Sequence, residues 1–232
     1  MTAPRTTEQG RRAAAPWQNP EFAGAWAAGD PLGDLLALPR RLAAALVALD
    51  RPRSRLIVDI GSGPGAFLAV FLEEFAEARG VWSDASEAML SRARESLAPY
   101  GDRVDYRIVD MTDLSGGAIP ENADVIVTSR AAHHLDRAGL AAFYTEAAGH
   151  LAPGGWLVDL DHTGPSDVWD QRFRTVRKRF TRPRRKGAEH RHDHPLTSVQ
   201  DHLDGFAAAG ITDVEIAWKA FFTCLFIGRK DG

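Results

Sequence analysis

Two pairs of adjacent groups in this chain could move a proton near neutral pH: His133 with His134, and Asp161 with His162. An imidazole, with an unperturbed pKa of about 6.5, suits general-base work there. Three carboxylates, Asp59, Asp84 and Asp110, offer a different chemistry, that of accepting hydrogen bonds from a polar ligand. Asp59 stands two residues before Gly61, and Gly61, Gly63 and Gly65 alternate through Gly-Ser-Gly-Pro-Gly. In such a turn the backbone can approach a ligand with no Cβ in the way. Two clusters complete the chemistry. His190, His192, Asp193 and His194 have metal-ligand character. Ten basic residues lie between Arg172 and Arg191, with Glu189 alone against them.

These groups need elements to position them. Leu56, Ile57, Val58 and Ile60 suit a strand buried on both faces, and Ala66 to Arg79 carries Leu68, Phe71, Leu72 and Phe75 at helical spacing. The glycines therefore lie at a strand-to-helix junction, where free N–H groups and a partial positive charge meet a ligand. Strands and helices then alternate. Strands are expected at Val81–Asp84, Val104–Val109, Asp124–Ser129 and Trp156–Asp161, with a helix capped at Ser86 and another over Ala138–Leu151. That alternation predicts a parallel sheet with helices on both faces. Asp84, Asp110, His133, His134, Asp161 and His162 fall at the carboxyl ends of successive strands, the edge at which open α/β sheets bind ligands.

Toward the ends the pattern changes. Residues 1–15 read as a loose tail and 16–54 as a helical cap, with Trp17, Phe22 and Trp26 in a short helix and Leu32–Leu49 in a longer one. Those aromatics either pack or lie over the glycine turn. Residues 163–195 lack the periodicity of a core element, although Trp169, Phe173, Val176 and Phe180 could line one helix face. A helix capped by Thr197 or Ser198 and stopped by Gly210 follows, then two strands, Val214–Trp218 and Phe221–Ile227, in the one place where an antiparallel hairpin fits.

Composition narrows the function. With 232 residues, 44% of them hydrophobic, the chain can bury one full core. A net charge of −3 gives no global attraction to nucleic acid or anionic membrane. Cys224 is the single cysteine, so an intrachain disulfide and a cysteine-rich zinc site are excluded, and the cytosol is the expected compartment. Arg11-Arg12 lacks the apolar run of a signal, and no 18-residue apolar run suggests a membrane span.

Gly61 to Ala66 also satisfies the dinucleotide fingerprint, with Asp84 about 20 residues on. Asp59 beside the turn, the recurring acids and the lack of a basic residue for a phosphate argue against a pyrophosphate. Ribose hydroxyls, an exocyclic amine and an ammonium group suit that row of acceptors better.

Over roughly residues 55–228 the chain resembles the class I S-adenosylmethionine-dependent methyltransferases. Val58-Asp59-Ile60-Gly61-Ser62-Gly63-Pro64-Gly65 looks like motif I, and Asp84-Ala85-Ser86-Glu87-Ala88-Met89-Leu90 like the segment after the second strand. Asp110-Met111-Thr112-Asp113-Leu114 is similar to the adenine segment, Ser129 to Leu135 to the post-fourth-strand segment, and Leu151 to Gly155 to the turn before the fifth strand. The resemblance implies a Rossmann-like α/β fold of seven mostly parallel strands with an antiparallel C-terminal strand, in one domain whose residues 163–195 form a substrate-side insertion. It implies S-adenosylmethionine as cofactor, leaving as S-adenosylhomocysteine. Gly61, Ser62, Gly63 and Gly65 would border its methionine and ribose parts, and Asp59 would hold the methionine end. Asp84, with Ala85 beside it, would accept from both ribose hydroxyls. Asp110 would bond the adenine amine with Met111 beside the ring, Arg130 would sit near the methionine carboxylate, and Met89 is either core or an adenine contact.

The implied reaction is methyl transfer to a small-molecule acceptor. His133 and His134 occupy a position that commonly faces the transferred methyl in the family, and Asp161 with His162 is the second choice of proton acceptor. No resident metal is expected: alternate histidines at 190, 192 and 194 could converge only from a strand, which Pro195 would end. The basic block reads as a solvated face, a site for an anionic small molecule, or an RNA surface, the last lacking aromatics among Arg182–Lys186 to stack bases. An RNA or protein methyltransferase and a cofactor-binding protein that does not methylate are the alternatives. No membrane or nucleic-acid partner is expected, and the chain would act as a monomer or homodimer.

Overall fold

Six of the seven strands run one way in the sheet and the last runs against them. The computed structural model describes residues 18–22, 33–180 and 194–232. In chain order these form α1 (Gly33–Asp50), β1 (Leu56–Ile60), α2 (Ala66–Glu74), β2 (Arg79–Asp84), α3 (Glu87–Ser96), β3 (Val104–Ile108), β4 (Ala123–Ser129), α4 (Arg137–Gly149), β5 (Leu151–His162), α5 (Asp167–Arg177), α6 (Val199–Ala208), β6 (Ile211–Ala220) and β7 (Thr223–Lys230). The strand order is β3-β2-β1-β4-β5-β7-β6. The β1–β2, β2–β3, β1–β4 and β4–β5 pairs are parallel, whereas β7 lies antiparallel between β5 and β6. This is the expected seven-stranded, mostly parallel α/β sheet.

Alternation along the strands divides the core in two. Ile57, Val125, Val127 and Val158 face α1, α2 and α3, while Val58, Ile60, Ile126 and Leu157 face α4 and α6. Both faces are thereby buried, as a parallel sheet requires. The chain runs outward from β1 through β2 to β3 and then crosses to β4 on the other side of β1, so the order reverses between β1 and β4, the place at which open α/β sheets commonly bind ligands.

Element boundaries differ from the pattern in instructive places. The helix after the glycine turn stops at Glu74 instead of reaching Arg79: Phe75 leaves helical geometry, and Ala78 N–H closes a turn on the Phe75 carbonyl at 3.0 Å. Strand β2 then starts at Arg79 and runs through Gly80, where a Cβ would stand 2.9 Å from Leu68 Cδ1. A residue that reads as a breaker is therefore the contact that lets α2 lie on β2. Strand β5 begins at Leu151, ahead of Pro153-Gly154-Gly155, and absorbs that turn as a register shift against β4. Ser86 and Ser198 cap α3 and α6 as expected, Ser198 within a full capping box. The stripe of Trp169, Phe173 and Val176 does form a helix, α5, but none of its residues is buried. The expected tail 1–15, Trp17, Trp26, Arg182–Lys186, His190, His192 and Asp193 lie outside the described residues.

Candidate functional site

The glycine turn is built from the sheet upward. Asp59, fully buried on β1, accepts Ser62 Oγ–H at 2.6 Å and Leu68 N–H at 3.1 Å through Oδ2. Leu68 is in the first turn of α2, whose N-cap Gly65 has no side chain, so the strand supplies the cap. Ser62 N–H bonds the Ser83 carbonyl at 3.0 Å, and Trp82 Nε1–H bonds the Gly63 carbonyl at 2.8 Å. The turn is thus stitched to β2 by backbone and side chain alike.

Two glycines have distinct physical reasons. At Gly61, with φ +65°, a Cβ would lie 2.5 Å from the Ala131 Cβ, so the turn packs against the chain leaving β4. At Gly63, with φ +55°, a Cβ would meet nothing within 4 Å: the backbone there borders open space.

The acids line the same edge. Asp84, at the end of β2, accepts Gly63 N–H on Oδ2 and Ser86 N–H on Oδ1, both at 2.9 Å, so each oxygen keeps a second lone pair. Burial pushes its carboxyl up to about 6 against those hydrogen bonds. Asp110, just past β3, accepts Thr112 N–H and Oγ–H on Oδ1 at 2.9 Å, and its buried Oδ2 has no partner. Asp59 Oδ1 is likewise buried and unpartnered, and burial pushes this carboxyl up to about 7. Buried polar atoms without partners are rare in folded proteins. Two acceptors in that condition beside an open glycine cradle fit a group that brings its own donors, such as an amine, an ammonium or ribose hydroxyls.

Other expected residues fall near these. Ala85 follows Asp84, and its carbonyl accepts the Gln18 side-chain amide at 2.5 Å, a contact from the N-terminal segment that nothing in the sequence signals. Met111 is half-buried after Asp110. Met89 is 2% exposed within the core cluster that includes Trp82, Ala93 and Leu97, its surface used in packing. Arg130 leaves β4 with φ +53°, its N–H on the Leu160 carbonyl at 3.1 Å.

The two pairs of candidate proton-transfer groups meet because β4 and β5 are neighbours. Ala132–His134 forms one turn of 3-10 helix after β4, and Asp161 lies fully buried near the end of β5. Asp161 Oδ2 accepts the N–H groups of His133 at 2.9 Å and Ala131 at 3.2 Å. Its Oδ1 accepts His162 N–H at 2.6 Å and lies 2.5 Å from His133 Nδ1. Burial alone would raise this carboxyl, but the adjoining His133 and the hydrogen bonds hold it well below the usual carboxylate range. An ionised Asp161 only accepts, so His133 Nδ1 donates to it, and the ring's proton-accepting nitrogen is Nε2. The His133 ring lies 4.2 Å from that of His134 and 5.1 Å from that of His162. His162 faces Thr223 Oγ1 through Nδ1 at 2.9 Å, and burial, then the proximity of the His133 ring, lower its pKa well below 6.5. His194 Nε2 reaches the His134 carbonyl at 3.1 Å, which ties the return of the 163–195 segment to this turn. Among the described residues, no group of three or more His, Cys, Asp or Glu is arranged to hold a metal ion.

A family profile described as "Methyltransferase domain" matches residues 57–155, from β1 to the start of β5. Over 109 residues the chain is 33% identical to 3-amino-4-hydroxybenzoate 4-O-methyltransferase of Streptomyces cremeus, covering 47% of this chain and 29% of that one. Over 113 residues it is 32% identical to trans-aconitate 2-methyltransferase of Acidovorax sp. (strain JS42), covering 49% and 40%. The chain thus matches less than half the length of each of these relatives. Human N-acetylserotonin methyltransferase, solved in complex with SAM, superposes with a TM-score of 0.66 over 94% of this chain and 59% of that one, at 15% identity. That likeness is one of fold.

Proposed function

We propose that this chain is a class I S-adenosylmethionine-dependent methyltransferase and that it transfers a methyl group from S-adenosylmethionine to a small-molecule acceptor. The observation that carries this reading is the row of acids at the sheet's carboxyl edge, with two buried carboxylate oxygens still lacking donors beside the open turn at Gly63. In this reading Asp110 Oδ2 takes the adenine amine, Asp84 takes the ribose hydroxyls with its second lone pairs, and Asp59 sets the turn and favours the ammonium end. Met111 lies along the adenine, and Arg130 faces the methionine carboxylate.

When bound, the cofactor supplies an electrophilic methyl group on a sulfonium centre. The chain's own work is to align the acceptor and remove its proton. Asp161 fixes the turn from Ala131 to His133 and the tautomer of His133. His133 Nε2 is then the base, and His162, held neutral, adds a second uncharged imidazole beside it. His134 holds the returning segment through its carbonyl. Residues 163–195 form the substrate-side insertion of a single domain.

Two relatives bear names that specify carboxylic acids, a hydroxybenzoate and an aconitate, which supports an acceptor of small size and negative charge. Among the described residues no helix is long and apolar enough to cross a membrane, and Cys224 is buried and unbridged. In this reading the protein is cytoplasmic and acts as a monomer or homodimer. Calorimetry with S-adenosylhomocysteine tests the cofactor assignment: micromolar binding is expected, and tight NAD(H) binding with none of S-adenosylhomocysteine would overturn it.

A further inference from the structure

Three side chains with no exposed surface form a polar chain beside the Asp161 corner. Tyr144 of α4, Asp159 of β5 and His202 of α6 are each fully buried. Tyr144 O–H donates to Asp159 Oδ2, and His202 Nδ1 lies 2.6 Å from the phenol oxygen and 3.3 Å from Asp159 Oδ2. The phenol gives its one proton to Asp159, so Nδ1 is the donor, and in the neutral ring Nε2 accepts from the Thr197 hydroxyl at 3.1 Å. The His202 ring also stacks on that of Phe226, at 4.7 Å with 2° between the planes. The arrangement is costly: burial raises the Asp159 carboxyl, and its Oδ1 has no partner among the described residues. Apolar side chains of similar volume are often as stable in such a place, or more so. What the polar chain adds is direction, because each member fixes the orientation of the next.

That direction ends on a strap of four residues, 194–197, which touches both chain segments that carry the candidate bases. At one end His194 Nε2 reaches the His134 carbonyl at 3.1 Å, in the turn after β4. At the other, the Thr197 carbonyl accepts Gly164 N–H at 2.8 Å, two residues after His162. A Cβ at Gly164 would stand 2.5 Å from the Leu196 carbonyl oxygen, so the strap and the chain leaving β5 pass backbone to backbone. Ser198 caps α6 in a box with Asp201, so the Thr197 hydroxyl is not what starts that helix. Its printed partner is His202 instead. Asp159 precedes Asp161 by two residues on the same face of β5. The strand is therefore tied to His202 on both sides of Asp161 and His162, directly at Asp159 and through Thr197 at Gly164.

We propose that His202 is a positioning residue: acting through Thr197, it holds the 194–197 strap so that the His134 turn and the chain after His162 keep one spacing. This rests on the methyltransferase reading, which makes those two segments the walls of the acceptor site.

The test is NMR on the full chain with nitrogen-labelled histidine rings and backbone amides. Thr197→Val keeps the side-chain shape and removes the hydroxyl, Thr197→Ser keeps the hydroxyl, and His202→Phe keeps a ring on Phe226 and removes both polar contacts. Thr197→Val and His202→Phe should each speed exchange of the Gly164 amide about tenfold or more and move the ring signals of His134 and His162. Exchange at Val158, within β5, should stay within about threefold. Thr197→Ser should restore both readouts, and the Thr197 pair decides alone where His202→Phe does not fold. Unchanged Gly164 exchange and histidine signals in Thr197→Val overturn the proposal, as do changes that Thr197→Ser fails to restore or that reach Val158 equally. Calorimetry with S-adenosylhomocysteine on the same samples separates the two readings: binding that persists leaves the cofactor reading standing whatever the strap does. Failure of the unaltered protein to bind it overturns the positioning role together with that reading.

Discussion

Asp161 takes both donors of His133, the backbone N–H at 2.9 Å on Oδ2 and the ring Nδ1 at 2.5 Å on Oδ1. One buried carboxylate thus fixes where the imidazole stands and which nitrogen keeps the proton. Asp161→Asn preserves the shape but presents an N–H₂ where an acceptor is needed. Nitrogen NMR of the histidine rings should find Nδ1–H at His133 in the parent and a shift toward Nε2–H in the variant. Methyl transfer should fall by about 10²-fold or more, as when a general base is lost, with S-adenosylhomocysteine affinity within a few-fold. An unchanged tautomer together with full turnover would remove Asp161 and His133 from proton transfer.

Burial makes the ionised form of Asp59 costly to the fold. Its carboxyl is pushed by burial from 3.8 to about 7, so the folded protein holds this proton more tightly than the unfolded chain. Stability contributed by that proton falls as pH rises from about 4 to 7, and the deficit is complete above 7. Asp59→Asn should therefore raise the melting temperature of the ligand-free protein at pH 8, by about 5 °C, and change it little at pH 5. The same variant should bind S-adenosylhomocysteine more weakly. Scanning calorimetry at both pH values checks the sign.

His162 acts in the opposite direction. Burial and the neighbouring His133 ring hold its pKa well below 6.5, so the unfolded chain takes up a proton that the folded ring refuses. This contribution is intact above about pH 6.5 and is lost as pH falls below it. His162→Gln can still reach Thr223 and cannot titrate. The denaturation midpoint of the parent should drop more steeply than that of the variant between pH 6.5 and 5; parallel curves would contradict the assignment.

The two glycines should separate fold from ligand. Gly63→Ala puts a methyl into open space at φ +55°, so it should cost about 1 kcal/mol of stability. The methyl narrows the cradle, and affinity for S-adenosylhomocysteine should fall about tenfold. Gly61→Ala drives a Cβ to 2.5 Å from the Ala131 Cβ and should cost more stability, about 2–3 kcal/mol, while disturbing the turn before His133. Urea titration and calorimetry on both variants check the split. Equal stability losses with unchanged binding would place the ligand elsewhere.

The sequence carries most of the cofactor side because its signals are local. Asp59, Asp84 and Asp110 each sit at or near a strand end, and Gly61 to Gly65 marks a turn within five residues. The cluster around Asp161 is legible only as two separate pairs, since it forms where β4 meets β5 and no local pattern states that Asp161 faces His133. The contact of Gln18 with the Ala85 carbonyl is long-range and leaves no trace in periodicity. Met89 lies on a helix whose apolar positions do not declare whether they face core or ligand, and packing decides for the core. Helix α5 defeats the pattern differently: its stripe is readable, but a stripe ordinarily implies burial, and here it meets Phe221 and Phe222 at the rim.

The most direct measurement supplies S-adenosylmethionine with a labelled methyl group to the purified protein in the presence of a panel of small hydroxylated acids and neutral phenols. The label should appear in at least one of these acceptors with one equivalent of S-adenosylhomocysteine formed, and Asp84→Ala should weaken cofactor affinity at least tenfold by removing two ribose contacts. Label that is bound but never transferred to any of them would contradict methyl transfer as the function of this fold.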